Sequence, residues 1–275
     1  MDGELGDFLR SRRARIRPEQ VGLASHGRRR VPGLRREEVA QLAGVSVDYY
    51  IRLEQGRGPH VSDAVLDAVA RVLRLDETEC AYLRTVARPR RARDHRPAAA
   101  RVRPGVQLML DGMDRTPAFV LGRRLEVLAW NVLADAVTGF SRMPRARRNL
   151  PHHVFLDPAA RDLYPDWAAV AVQTVAHLRL DAGHHPDDPE LCARVGELSV
   201  KSEEFRRLWA DHQVQACVNG VKRVSHPVAG LLTLPYETFA VRSEPEQTMV
   251  VYTPEAGSET AERLALLGSW ASTRA

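Results

Sequence analysis

Over residues 1–87 apolar positions recur three and four apart among charged and small ones, the pattern of a run of short amphipathic helices. Leu5, Phe8, Leu9 and Ile16 define the first, over residues 4–16. After a Gly- and Arg-rich stretch from Gly22 to Gly33, Val39, Leu42 and Ala43 share one face of a second helix, which Gly44 is placed to end. Ser46 can N-cap the next, whose inward face is Tyr50 and Leu53 and which Gly56 closes. Two short helices joined by a glycine-containing turn make a helix-turn-helix. A fourth helix is expected after Ser62, with Val65, Leu66, Val69 and Leu73 inward. A fifth starts at Asp76, where Asp76 and Glu79 have capping-box spacing, and turns Cys80, Leu83 and Val86 inward.

Residues 88–104 carry arginines and prolines and no bulky apolar side chain except Val102. They read as a linker semi-extended by proline, or as a basic arm that touches DNA. The period then changes. Phe119 to Leu121 and Leu125 to Trp130 are β-rich runs around a glycine-containing turn. A helical middle follows, with Asp157-Pro158 and Asp188-Pro189 as cap-and-proline starts. Trp167, Val170, Ala171, Thr174 and Leu178 form one stripe there, and Phe205, Leu208, Trp209 and His212 another. Strands return at Gly220 to Val224, Leu231 to Val241 and Thr248 to Tyr252, and Ser258 begins a last helix ending near Gly268. The expectation is a multidomain chain: an all-α helix-turn-helix domain over 1–87, a linker over 88–104, and an α+β domain with an antiparallel sheet over 105–275.

A length of 275 residues suits two domains, and 44% hydrophobic with 27% charged residues excludes a disordered or fibrous chain. No apolar run approaches 18 residues, and acids stand where a secretory signal needs a basic region, so a cytoplasmic protein without a membrane span is expected. Charge sharpens the division. Residues 1–103 hold 22 arginines against 14 acids, while the remainder holds 18 basic and 21 acidic residues. A basic head on a near-neutral body points to a polyanionic partner for the head. Coding bias explains why only Lys201 and Lys222 are lysines, but not why the excess sits at one end.

Cys80, Cys192 and Cys217 are odd in number and widely spaced, and read as reduced, mostly buried thiols. His152-His153 and His184-His185 are adjacent pairs whose side chains diverge, so neither a metal nor another cofactor is expected. Phosphate-loop, nucleophile-elbow and dinucleotide fingerprints are all missing, which argues against an enzyme.

The stretch Leu34-Arg35-Arg36-Glu37-Glu38-Val39 through Leu53-Glu54-Gln55-Gly56-Arg57 resembles the XRE-type helix-turn-helix of phage repressors, a lambda-repressor-like five-helix domain. The second helix of such a pair enters a major groove about 12 Å wide in double-stranded DNA. The resemblance implies that Ser46, Val47, Asp48, Tyr49 and Arg52 face the groove. It sends Arg35 and Arg36 toward a phosphate or outer base and makes Arg57 a backbone clamp. Tyr50 and Leu53 remain core.

Gly33 to Ala40, Tyr49-Tyr50 and Arg52 to Arg57 are closest to the MmyB-like regulators of actinobacteria and their relatives. Leu128-Ala129-Trp130-Asn131, Arg148-Asn149, Asp166-Trp167, Glu204-Phe205, Leu208-Trp209-Ala210, Lys222 and His226-Pro227 are similar to that family's ligand-sensing domain. The resemblance implies a PAS-like fold from about residue 105 and a small hydrophobic ligand, a fatty acid among the candidates. Trp130, Phe155, Trp167, Phe205 and Trp209 would line an apolar pocket, with Asn131, Arg148, Asn149 and His226 orienting the ligand. The plainer alternative is that the aromatic residues form the core and that Arg148 and His226 bond structurally. Reading two half-sites would make the protein a homodimer. The function expected is ligand-controlled transcription regulation. The alternatives are an enzyme with a DNA-binding appendage and a protein-interaction scaffold without a cavity.

Overall fold

Local sequence sets each helix of the N-terminal region in the computed structural model, which describes residues 4–23, 33–56, 61–88, 101–214 and 219–272. Arg57, linker residues 89–100 and Cys217 lie outside these. Helix α1 (Glu4–Arg15) carries acids in its first turn and arginines in its last, complementing the helix dipole. α2 (Arg36–Ala43) ends at Gly44, whose φ of 69° is the left-handed conformation that closes a helix. The Ser46 hydroxyl accepts from the Tyr49 amide and starts α3 (Val47–Glu54). Ser62 caps α4 (Asp63–Val72), and the Asp76–Glu79 box caps α5 (Glu77–Ala87).

The chain divides into two compact units. The first comprises 1–93 together with 179–189 and 208–216, and the second comprises 94–178, 190–207 and 217–275. Phe8, Leu9, Leu34, Val39, Tyr50, Leu53, Leu66 and Leu83 form the core of the first, with Leu180 and Val214 packed against them. Backbones pack closely here. A Cβ at Gly6 of α1 would run into the Glu54 carbonyl of α3. Leu42, expected inward, is 38% exposed in the last turn of α2, whose buried residues are Val39 and Ala40.

The second unit opens with α6 (Pro104–Asp111), a helix not among the expected elements; proline in its first turn is the local start signal. Strands β1 (Ala118–Gly122) and β2 (Val127–Trp130) follow, then α7 (Val132–Thr138), α8 (Leu150–Leu156), α9 (Ala159–Leu163) and the start of α10 (Trp167–His184). α11 (Pro189–Lys201) and α12 (Glu203–Ala210) lead into β3 (Asn219–His226), β4 (Gly230–Ala240), β5 (Gln247–Tyr252) and α13 (Glu259–Ser272). α13 runs past Gly268, its expected end. This glycine has helical neighbours on both sides and lies beside Leu133, 3.5 Å from where a Cβ would stand.

The five strands make one antiparallel sheet in the order β2-β1-β5-β4-β3. Alternation sorts its faces. Ala118, Val120, Met249 and Val251 pack with Leu110 of α6 on one side. The register of the pairs puts Phe119, Val250, Tyr252, Tyr236, Leu234 and Lys222 on the other. That inner face is covered by helices, as the edge-on Phe119–Phe140 contact shows. The fold is thus multidomain, a helical helix-turn-helix region followed by an α+β domain with a five-stranded antiparallel sheet. The expectation of mostly buried thiols does not hold for the two described cysteines. Cys192 is exposed on α11 and Cys80 half-buried on α5.

Gly6→Ala is expected to destabilise the protein by about 1–3 kcal/mol, the cost of forcing two packed backbones apart. Gly196→Ala, on an open face of α11, gains helix propensity of roughly 0.5–1 kcal/mol. Urea-unfolding midpoints followed by circular dichroism separate the two; equal effects would refute the close approach of α1 to α3.

Candidate functional site

The candidate DNA-facing surface is the outer side of α3. Val47 is 41% exposed, Asp48 and Arg52 are exposed and Tyr49 is half-buried. Tyr50 is fully buried, and burial followed by the charge of Glu54 pushes its phenol pKa up, so it stays neutral in the core. Ser46 uses one lone pair on the Tyr49 amide, which leaves its hydroxyl hydrogen to donate outward. Arg35 is exposed, and its amide donates to Glu38 to start α2.

Arg36 has a partner that sequence alone did not identify. Its Nε lies 2.6 Å from Oε2 of Glu54, while Oε1 of the same carboxylate receives Nε of Arg13 at 2.7 Å. Glu54 is buried, whereas the Arg36 side chain remains 45% exposed. The hydrogen bond that Arg36 donates to Glu54, then the charge of that carboxylate, raises the Arg36 pKa. One edge of the guanidinium is therefore fixed inward while much of the group meets solvent. Tyr50, Leu53 and Glu54 stand at i, i+3 and i+4, the spacing that could have marked Glu54 as inward.

A second arginine cluster completes this unit. Arg179, in the last part of α10, is 2% exposed; its guanidinium lies 4.1 Å from the centre of the Trp209 ring and donates to the Trp209 carbonyl and, at 3.0 Å, to Nδ1 of His212. Two arginines of α1 bind the same segment. Arg12 donates to the His212 carbonyl at 2.7 Å and pairs with Glu79, and Arg15 donates to the Asp211 carbonyl at 3.0 Å. Gly183 sits against Tyr82 of α5, where a Cβ would strike the ring, and the Tyr82 hydroxyl donates to Glu4. Trp209, expected among the ligand-lining aromatics, belongs to this first unit.

In the second unit the expected ligand residues separate into groups. Phe155 meets Trp167 and Phe205 edge to face, and the Trp167 indole donates to the Val154 carbonyl. Arg148 lies over Trp130, 4.7 Å from the ring centre, and donates to the Met143 carbonyl. Asn131 is filled by backbone: Oδ1 accepts from Ala118 and Ala134, and Nδ2 donates to Met113 and Thr116. His226 is similarly engaged. Its Nε2 donates to the Ala136 carbonyl and its Nδ1 accepts from Val228 and Ala229 in the β3–β4 turn. Asn149 caps α8 by accepting from His152. It also lines a cavity of ≈ 270 Å³ with Ala146, His152, Glu190, Ala193, Arg194, Glu197 and Leu198. Polar groups line much of that cavity, and the aromatic groups lie elsewhere.

Among the described residues no cluster of His, Cys, Asp or Glu is positioned to hold a metal, and no helix is long and apolar enough to cross a membrane.

A capped helix pair whose second helix keeps its outer side exposed, joined to an α+β domain, belongs by its family matches to the class of DNA-binding regulators with a ligand domain. Residues 4–83 match a helix-turn-helix domain, and residues 102–267 match the MmyB-like transcription regulator ligand binding domain. The second match spans more than half of the chain, which therefore belongs to the MmyB-like family. No curated protein matches the chain. The chain is accordingly a ligand-sensing transcription regulator, and both families point away from enzymatic activity.

His212 gives the first unit a pH dependence. Its Nδ1 must accept from Arg179, since an arginine only donates, so protonation would remove the acceptor and set two cations together. Burial first, then Arg179, lowers its pKa from 6.5 to about 4. The folded value lies below the unfolded one, so this contribution is intact above 6.5 and is lost as pH falls toward 4. The thermal stability of the first unit should therefore fall across that window. His212→Gln, whose amide oxygen can still accept, should flatten the decline; identical pH profiles for both proteins would contradict the assignment.

Proposed function

We propose that the chain is a cytoplasmic, homodimeric regulator with a DNA-binding head in 1–87, a linker over 88–104 and a sensor over 105–275. In this reading α3 enters the major groove, with Val47, Asp48, Tyr49 and Arg52 toward base edges. Arg36, held by Glu54, presents the rest of its fork to a phosphate, and Arg35, the Ser46 hydroxyl and Arg57 add backbone contacts. The sensor binds a small apolar molecule, a fatty acid being the first candidate. Support for an apolar body comes from the Phe155–Trp167–Phe205 group.

Ligand control rests on one observation. α10 is a continuous helix whose residues up to Leu178 belong to the second unit and whose residues from Arg179 belong to the first, where Arg179 shares its partners with α1. A ligand that favours one setting of α10 would then favour one setting of α1. Control needs such a difference in ligand affinity between the DNA-competent and incompetent states.

The DNA half is tested on an operator selected from random duplexes by the full-length protein. Arg52→Ala should weaken operator binding by about 1–3 kcal/mol and leave random DNA unaffected. Equal losses on both would make Arg52 a phosphate contact. A footprint of two half-sites about 34 Å apart supports the dimer, and a lone half-site contradicts it.

A further inference from the structure

We propose that the polar cavity between α8 and α11 is a second ligand site, one that binds a small monocarboxylate through the guanidinium of Arg194. The cavity measures ≈ 270 Å³, just under the roughly 300 Å³ at which small-molecule pockets begin, so its occupant is small. It is lined from α8, from α11 and from the turn before α8; no strand and none of Trp130, Phe155, Trp167 and Phe205 contributes. The site therefore stands apart from the aromatic interior, and the inference does not depend on what binds there.

The starting point is an arginine with unmet donors. The Nε of Arg194 is buried and has no hydrogen-bond partner, a rare condition in native proteins. Its Nη2 comes to 3.9 Å from Oε1 of Glu126, beyond hydrogen-bond reach. Two unmet donors of one planar fork are what a carboxylate takes in parallel bonds. The acids of the same wall are already engaged. Glu190 receives Nη1 of Arg124, and Glu197 receives Nζ of Lys201 at 2.7 Å. Among the described residues, then, the lining keeps its acids bonded and its one permanent cation, Arg194, open.

The rest of the wall suits an acceptor. Asn149 is 4% exposed and its Oδ1 is taken by the His152 amide, which leaves Nδ2 to donate. Burial, then the charge of Arg147, lowers the His152 pKa, so the ring is neutral and one of its nitrogens carries a hydrogen. Arg194, Asn149 and His152 thus bring donors to one space. Charge selects among the anions that could accept from them. Arg124, Arg147, Arg194 and Lys201 stand against Glu126, Glu190 and Glu197, an excess of one positive charge. A monoanion cancels that excess, whereas a phosphate dianion overshoots it beside two carboxylates. A neutral amide matches a carboxylate in shape and leaves the charge of Arg194 unmet.

The test uses the full-length protein and carboxylate–amide pairs of rising size, acetate and acetamide, lactate and lactamide, benzoate and benzamide, with binding followed by calorimetry. At least one acid should bind about tenfold or more tightly than its amide, the return on charge-assisted hydrogen bonds. Inorganic phosphate should bind more weakly than that acid. Arg194→Met removes the cation while keeping a long side chain, and should abolish the preference. A readout that needs no variant is the ring NMR signal of His152 in the wild type, which should shift with the acid and stay still with the amide. The site is overturned if no acid outbinds its amide, or if an acid binds with His152 unmoved and equally well to Arg194→Met. Tighter binding of phosphate overturns the monocarboxylate class.

Discussion

The carboxylate of Glu54 is the fixed point of the DNA-binding unit. Buried on α3, it is held by Arg13 from α1 and Arg36 from α2, so one side chain ties three helices at distances of 2.6 and 2.7 Å. A charge in that position is stable only while both arginines stay; removing one partner of a buried pair costs about 3–5 kcal/mol. The close packing of Gly6 on the Glu54 carbonyl belongs to the same joint, because a thicker contact would move the carboxylate away from Arg13. Arg36 gains its orientation there. The outer side of α3 can be polar and bare because its inner side is bolted by charge as well as by Tyr50 and Leu53.

The arginine cluster around residues 208–214 solves a different physical problem. The C-terminus of a helix leaves carbonyl groups without intrahelical partners. At the end of α12 those of Trp209, Asp211 and His212 receive Arg179, Arg15 and Arg12 respectively. His212 itself has a φ of 50°, a left-handed conformation that turns the chain out of the helix. Two of the three arginines come from α1, so the cap of α12 is also an anchor for the first helix of the head. The match to the ligand-binding family spans both α10 and α12. Elements of the sensing region are thereby part of what holds the DNA-binding helices.

Much of this was legible because it is local. Gly44, Ser46, Ser62 and the Asp76–Glu79 pair declare helix ends within three or four residues, and strand alternation placed all five strands. What escaped depends on partners far along the chain. The spacing of Glu54 after Tyr50 and Leu53 can mark it as inward, but not its partner Arg13, which lies 41 residues earlier. Trp209 sits on an amphipathic stripe with Phe205, yet the stripe crosses from one unit to the other, and periodicity does not reveal that. Asn131 looked available to a ligand because its four hydrogen bonds go to backbone that only the folded sheet edge supplies. His152 appeared only as half of a histidine pair, and Arg194 carried no signal. The unmet Nε of Arg194 is a property of burial, which the sequence around it does not encode.

The central claim is that the end of α10 helps hold the DNA-binding helices. Hydrogen exchange along the full chain, compared between the wild type and Arg179→Met, tests it most directly. The account predicts faster exchange in α1 and in residues 208–214, far from the substitution in sequence. Wild-type rates throughout α1, with changes confined to α10, would contradict it.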